Sequence, residues 1–239
     1  MIEYRDVCYR IGGRTILDHL NLQVQEGETL VLLGRSGSGK TTALKMANAL
    51  VVPTSGQVLV NGRPTTEWDL IRLRRTIGYV IQEVGLFPHY TVERNVGLVA
   101  TLEGWTPDRV STRVSELLDQ VGLDPAQYGS RYPRQLSGGQ RQRVGVARAL
   151  AVDPALLLFD EPFGALDPIT RVELQRQFLE MRRTLGKTSI FVTHDVHEAL
   201  KLGSRVALLN EGRLVVDLPP EQFMKSNHPE ARAFLECLN

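Results

Sequence analysis

Residues 34–41, GRSGSGKT, follow G-x-x-x-x-G-K-[ST], the spacing a backbone needs to wrap a phosphate. Glycines there let main-chain N–H groups converge on phosphate oxygens, and a following helix adds the positive end of its dipole. Lys40 is the ammonium that reaches the β- and γ-phosphates, and the Thr41 hydroxyl is a ligand for Mg²⁺. LLLFDE at 156–161 offers a second set of groups. Its apolar run delivers Asp160 to a strand end, where a carboxylate holds Mg²⁺ through water, and Glu161 beside it can orient or deprotonate an attacking water. Pro162 stops the strand at that point. His194 follows the apolar run SIFVT and suits γ-phosphate sensing better than a plain loop role. LSGGQ at 136–140 is an anion site without a lysine, built from Ser137 and two glycines at a helix start. One lysine-bearing cradle and one lysine-free cradle invite a head-to-tail pair of chains, each completing the other's site.

These groups need a scaffold that brings strand ends and helix starts together. Short apolar runs alternate with helical stretches, which predicts an α/β domain with a largely parallel sheet. TLVLL (29–33), IGYVI (77–81), LLLF (156–159), SIFVT (189–193) and RVALL (205–209) read as buried strands, whereas LNLQV (20–24) alternates as a strand with one wet face. QVLVNGR (57–63) carries an Asn-Gly hairpin signal in the N-terminal third. Asp167-Pro168 starts a helix that runs to about Leu185 and stops at Gly186, and Asp195 with Glu198 reads as a capping box closed by Gly203. Residues 91–151 hold three helical patterns and no convincing strand, so they read as a helical insertion entered near Gln82.

The chain resembles the ATP-binding subunit of an ABC transporter, because GRSGSGKT, Gln82, LSGGQ, LLLFDE, GALD (164–167) and His194 occur in that family's order. The resemblance implies a P-loop NTPase (RecA-like) core with an antiparallel β subdomain and an inserted helical subdomain. The core would comprise about 1–82 and 153–239, and the helical part about 83–152. It implies ATP and Mg²⁺ as ligands. Gly34, Arg35, Ser36, Gly37, Ser38, Gly39, Lys40, Thr41 and Thr42 would surround the phosphates. Thr41, Gln82 and Asp160 would serve the metal. Glu161 would be the general base, His194 would position it, and Gln82 would couple the site to the helical insertion. Ser137, Gly138, Gly139 and Gln140 would close over the ATP of a second copy, and Asp167 would cross that interface. Ile11 stands where such families place an adenine-stacking aromatic, so apolar packing by Ile11 is expected, with Tyr9 as a substitute on the same side of the strand.

KMANAL (45–50), RRTIGYVIQEVGLFPHYTVERNV (74–96) and FDEPFGALDPITR (159–171) look like bacterial importers of osmoprotectants and related quaternary amines such as glycine betaine, proline, carnitine and choline. That likeness implies a homodimer serving a separate membrane permease, fed by a periplasmic or lipid-anchored substrate-binding protein, at the cytoplasmic face of the membrane. Another importer or exporter substrate, or a nucleic-acid-associated ABC ATPase, are the alternatives. Members of the subgroup often carry paired regulatory domains after the ATPase; the sequence ends at Asn239, so ionic-strength sensing by such domains is not carried over.

Composition narrows the classes. The 239 residues are 42% hydrophobic and 23% charged, enough for a sizeable core, and 28 basic against 27 acidic residues leave +1. That balance argues against nucleic acid or anionic lipid as a whole-chain partner. The charged start MIEYRD is unlike a secretory signal, and no apolar run approaches the ~18 residues of a membrane span. Cys8 and Cys237 lie far apart without metal-ligand spacing, which suits two buried small hydrophobes in a reducing compartment better than a disulfide.

Overall fold

The computed structural model describes residues 1–82, 85–164 and 166–238, with the side chains of all of these but 181, 184 and 185. In chain order the first elements are β1 (Ile2–Ile11), β2 (Arg14–Val24), β3 (Thr29–Leu33), α1 (Lys40–Ala47), β4 (Ser55–Val60), β5 (Arg63–Pro64) and α2 (Leu70–Arg75). Then come β6 (Ile77–Val80), α3 (Val92–Leu102), α4 (Pro107–Gln120), α5 (Pro125–Tyr128), α6 (Gly138–Ala149), β7 (Leu156–Asp160) and α7 (Pro168–Leu185). The chain closes with β8 (Thr188–Thr193), α8 (Val196–Leu202), β9 (Arg205–Asn210), β10 (Arg213–Leu218), α9 (Pro220–Phe223) and α10 (Pro229–Leu235). Two compact units result, Met1–Arg74 with Gly186–Asn239, and Arg75–Leu185.

The first unit holds two sheets. One is antiparallel, in the order β2-β1-β4-β5. Its β4–β5 turn is the expected Asn-Gly, with Asn61 at φ 52° and Gly62 at φ 74°, the type I′ twist a tight hairpin favours. The other is mixed. β3 runs parallel to both β8 and β9, and β9 is antiparallel to β10. All five residues of β3 and all six of β8 are buried, as a strand covered on both faces requires. In β2 the residues Leu20, Leu22 and Val24 are buried and Asn21 and Gln23 exposed, the alternation of a half-wet strand.

In the second unit β6 and β7 pair in parallel, Tyr79 opposite Leu158. Between them in sequence lie three longer helices of 11, 14 and 12 residues and the single turn α5. The helix from Pro168 ends before Gly186 at φ 56°, and the Asp167 carboxylate accepts the Thr170 N–H at 3.0 Å. Asp195 caps α8 by accepting from His197 and Glu198, but the acid expected to complete a box, Glu198, is buried and accepts the Thr193 hydroxyl at 2.6 Å. A second expectation fails. Cys8 is buried, but Cys237 is exposed on the terminal 3₁₀ turn 236–238, none of whose residues is buried.

Candidate functional site

The cradle in the first unit begins where β3 leaves the sheet. Gly39 caps α1 at φ 98°, a left-handed conformation that costs a side-chain-bearing residue strain. A Cβ there would also sit 2.8 Å from the Ile16 carbonyl oxygen and 2.7 Å from Leu17, so the position excludes any side chain on two counts. The loop is anchored from outside by the Gly212 N–H, which donates to the Ser38 carbonyl. Arg35, Ser36 and Gly37 are exposed on the rim, Ser38 to Lys40 are buried, and Thr41 and Thr42 are intermediate. Lys40, only 4% exposed, donates from Nζ to the carbonyls of Gly34 at 2.7 Å and Arg35 at 2.9 Å. Its charge is therefore held over the loop by the loop's own acceptors. The Ser38 hydroxyl is buried without a hydrogen-bond partner among the described residues, a polar atom that a ligand in the cradle could satisfy.

Also in this unit, His194 follows β8 and is exposed. Ile11 is 59% exposed at the end of β1, and Tyr9 is intermediate. The register shift between Tyr9 and Arg10 comes from an extra residue on β2, where Tyr9 faces Leu17 and Arg10 faces Thr15. β1 itself is uninterrupted from Tyr9 to Ile11, so the two residues share a face by the period of a strand.

The second unit carries the acids. Asp160 ends β7 and is 5% exposed. Glu161 follows at φ 44°, a left-handed conformation uncommon for a residue with a side chain and typical of functional turns. The Gln82 amide approaches its carboxylate at 3.5 Å, a long contact between two residues the sequence singled out separately. The Tyr79 phenol donates to Asp160 at 3.2 Å, and its pKa is pushed upward by burial first and by the Asp160 charge second, so it stays a donor at neutral pH.

The same unit carries LSGGQ. Ser137 caps α6, its hydroxyl oxygen accepting the Gln140 N–H at 3.2 Å while the Gln140 side chain accepts the Ser137 N–H at 2.9 Å. This reciprocal box fixes the loop that must present N–H groups, and the serine keeps its own O–H proton to donate elsewhere. Gly139 lies close against α7, for a Cβ there would fall 2.3 Å from the Thr170 methyl. Asp167 is exposed, and the side-chain and backbone hydrogen bonds of Thr170 hold its carboxyl below the usual range. Ala165, inside GALD, and Glu83 at the expected start of the helical part lie outside the described residues.

Three features escaped the sequence reading. S-G-G-Q is itself an S-x-x-Q capping box, a signal present but unread. Tyr79 was absorbed into an apolar strand run, and no local pattern marked its phenol. Asn95, fully buried, accepts the Phe87 N–H at 2.8 Å and donates to the carbonyls of Phe87, Tyr90 and Thr91 at 3.0–3.1 Å. It staples GLFPHYTV onto α3, and a polar residue on a helix face gave no hint of that. Beside this segment a groove of about 570 Å³ runs between α3 and α4, lined by Tyr90, Arg94, Leu98, Trp105 and Val110 among others.

Among the described residues no helix is long and apolar enough to cross a membrane. A family model described as ABC transporter matches residues 17–164. The osmoprotectant import ATP-binding protein OsmV of Salmonella typhimurium is 53% identical over 208 residues, covering 87% of this chain and 54% of that protein. The glycine betaine uptake system ATP-binding protein YehX of Escherichia coli is 48% identical, covering 90% of this chain and 70% of that one. The chain spans about half the length of the first curated relatives it matches, 54–56%. Among solved structures, the ATP-binding cassette MJ0796, a dimer in a post-hydrolysis state bound to ADP and Pi, superposes with a TM-score of 0.83. It is 33% identical, and the match covers 92% of this chain and 99% of that one. The fold is accordingly that of a P-loop NTPase cassette with an antiparallel β part and a helical insertion.

Proposed function

The chain belongs to the ABC transporter family, and from that premise we propose that it hydrolyses ATP to drive uptake of a small solute through a separate membrane permease. The observation that carries the nucleotide reading is the cradle at 34–41. It combines a left-handed Gly39, a buried Lys40 that donates to the carbonyls of Gly34 and Arg35, and a Ser38 hydroxyl without a hydrogen-bond partner among the described residues. Binding of phosphate would exchange those carbonyls for anionic oxygens, a stronger, charge-assisted pairing for the ammonium.

Thr41, Gln82 and Asp160 offer hydroxyl, amide and carboxylate oxygens, a hard donor set of the kind Mg²⁺ takes. Bound there, Mg²⁺ would neutralise charge that develops on the phosphates. Gly34, Arg35, Ser36, Gly37, Gly39 and Thr42 line the phosphates, and Lys40 holds the β- and γ-groups. Glu161 accepts the proton of the attacking water, Gln82 orients that water, and His194 holds the geometry against the γ-phosphate. Ile11 packs against the base. Ser137, Gly138, Gly139 and Gln140 close over the ATP of a second copy, the serine donating its free O–H proton, while Asp167 crosses between the copies. Most of the catalytic effect is positioning and electrostatic stabilisation.

In this account residues 83–152 form the helical subdomain set into a core of 1–82 and 153–239. The Asn95-stapled segment after Gln82 meets the permease at the cytoplasmic face of the membrane. Relatives named for osmoprotectant import and glycine betaine uptake support a quaternary amine or related compatible solute as cargo, delivered by a periplasmic or lipid-anchored binding protein. The test has two arms. Purified chain should bind ATP with Mg²⁺, and Lys40→Ala should lose most of that affinity; unchanged affinity in the variant would remove the cradle. Affinity capture from membranes should retrieve a permease, whose associated binding protein should retain glycine betaine or choline. Retrieval of ribosomes or DNA instead would overturn the transport reading.

A further inference from the structure

We infer that Tyr79 is a positioning residue for the metal-binding carboxylate Asp160, setting how tightly the ATP-loaded chain holds its divalent ion. The inference rests on the nucleotide reading above and concerns a residue outside every motif that supports it.

The geometry follows from strand register. β6 and β7 run parallel with Tyr79 opposite Leu158, and Leu158 and Asp160 point to one face because side chains alternate. Two residues along a strand span roughly 6.6 Å, about the reach of a phenol leaning along the strand direction. A tyrosine at 79 therefore brings its hydroxyl to the carboxylate two residues beyond its own partner, and the Tyr79 O–H donates to Asp160 Oδ2 at 3.2 Å. Phenylalanine, leucine or methionine would fill the same space and stop short.

The support behind Tyr79 is stiff. The preceding residue, Gly78, faces the end of α6 so closely that a Cβ would meet the Ala149 carbonyl oxygen at 2.4 Å. β6 is thereby packed closely against the end of α6, and the phenol is delivered from that seated strand. At the other end, Asp160 is buried at 5% exposure, and a buried carboxylate needs hydrogen-bond donors to fix its orientation. Tyr79 supplies one such donor. A neutral donor does so without adding a second positive charge that would compete with a cation. Outer partners of this kind, one hydrogen bond behind a ligand, typically govern metal affinity by roughly 10–100-fold.

The experiment uses the full chain and a nonhydrolysable ATP analogue, with Mn²⁺ binding followed by electron paramagnetic resonance. Tyr79→Phe removes one oxygen and almost no volume, and Tyr79→Met serves as a second apolar variant. Both should bind Mn²⁺ roughly 10–100-fold more weakly in the analogue complex. Both should bind the analogue in EDTA within about twofold of wild type, and hydrolysis should recover as Mg²⁺ is raised, a rise in the metal KM rather than a fall in kcat. Equal Mn²⁺ affinity in wild type and both variants would overturn this inference alone, as would lower thermal stability with unchanged metal affinity, the mark of a purely structural tyrosine. Failure of the wild-type chain to bind the analogue at all would overturn the nucleotide reading and this inference with it.

Discussion

Replacing Asn95 by leucine tests whether the segment after Gln82 is held by a single buried amide. Leucine matches the size of the side chain but can neither accept from Phe87 nor donate to three carbonyls. The loss is smaller than four bonds. The Phe87 carbonyl still accepts the Tyr90 N–H at 3.1 Å, and the Thr91 carbonyl still accepts the Asn95 N–H at 2.9 Å, since both bonds are made by backbone. Two groups lose the partner Asn95 gave them, the Phe87 N–H and the Tyr90 carbonyl. Each such group costs about 1–3 kcal/mol when it stays out of water, and their partly accessible position puts the total near the lower end, about 3 kcal/mol. For a chain of this length that corresponds to a fall in Tm of about 6–12 °C. Hydrogen exchange gives the local readout. Amides 86–91 should lose protection in Asn95→Leu while β3 and β8 keep theirs. Basal ATP hydrolysis by the isolated chain should persist, and permease-coupled transport should fall, because only the proposed permease-contact segment has been loosened. A Tm within 2 °C of wild type together with unchanged exchange at 86–91 would refute the reasoning.

Further outcomes follow from other sites. Ile11→Tyr should supply the missing π-face and tighten ATP binding by roughly 5- to 150-fold, from a stacking gain of about 1–3 kcal/mol, while leaving tripolyphosphate affinity unchanged; equal ATP affinity would show that the base is held elsewhere. Gly139→Ala should lower stability by about 1–3 kcal/mol through collision with the Thr170 methyl, and Thr170→Ser, which lacks that methyl, should restore it in the double variant. Thr170→Ala should raise the Asp167 pKa toward its ordinary 3.8, read by NMR titration. Because the folded-state value is depressed, the associated stabilisation is present above the unfolded-state pKa and is lost as pH falls through the folded one; an unmoved titration would show that Thr170 is not its cause.

Much of the scaffold was legible because its constraints are local. TLVLL and LLLFD are continuous apolar runs because parallel strands are covered on both faces, and Asn61-Gly62 announces its turn because few residues accept two successive positive φ angles. The phosphate cradle is likewise written into consecutive residues. β1 was harder to see, since Asp6 and His19, each at φ 50°, mark irregularities that break its alternation and that of β2. β10 went unread because, of its six residues, Val216 alone is buried, while its partner β9 looks like a core strand. Tyr79 and Asn95 were invisible for a different reason. What they touch lies across a sheet register or across a loop closure, and neither is encoded in the spacing of nearby residues. Ser137 and Gln140 show the opposite case, a local signal overlooked because a ligand-binding reading of the same letters came first.

Glu161→Gln tests the central claim most directly. The substitution keeps the size and hydrogen-bonding reach of the side chain that follows β7 and removes only its ability to take a proton. Nucleotide binding and turnover should be measured on one preparation, with size-exclusion chromatography in Mg²⁺ and ATP. The variant should bind ATP as wild type does, accumulate as a dimer, and turn over roughly 10²–10⁴-fold more slowly. Turnover at the wild-type rate would contradict the account, because the carboxylate held at φ 44° would then have no part in activating water.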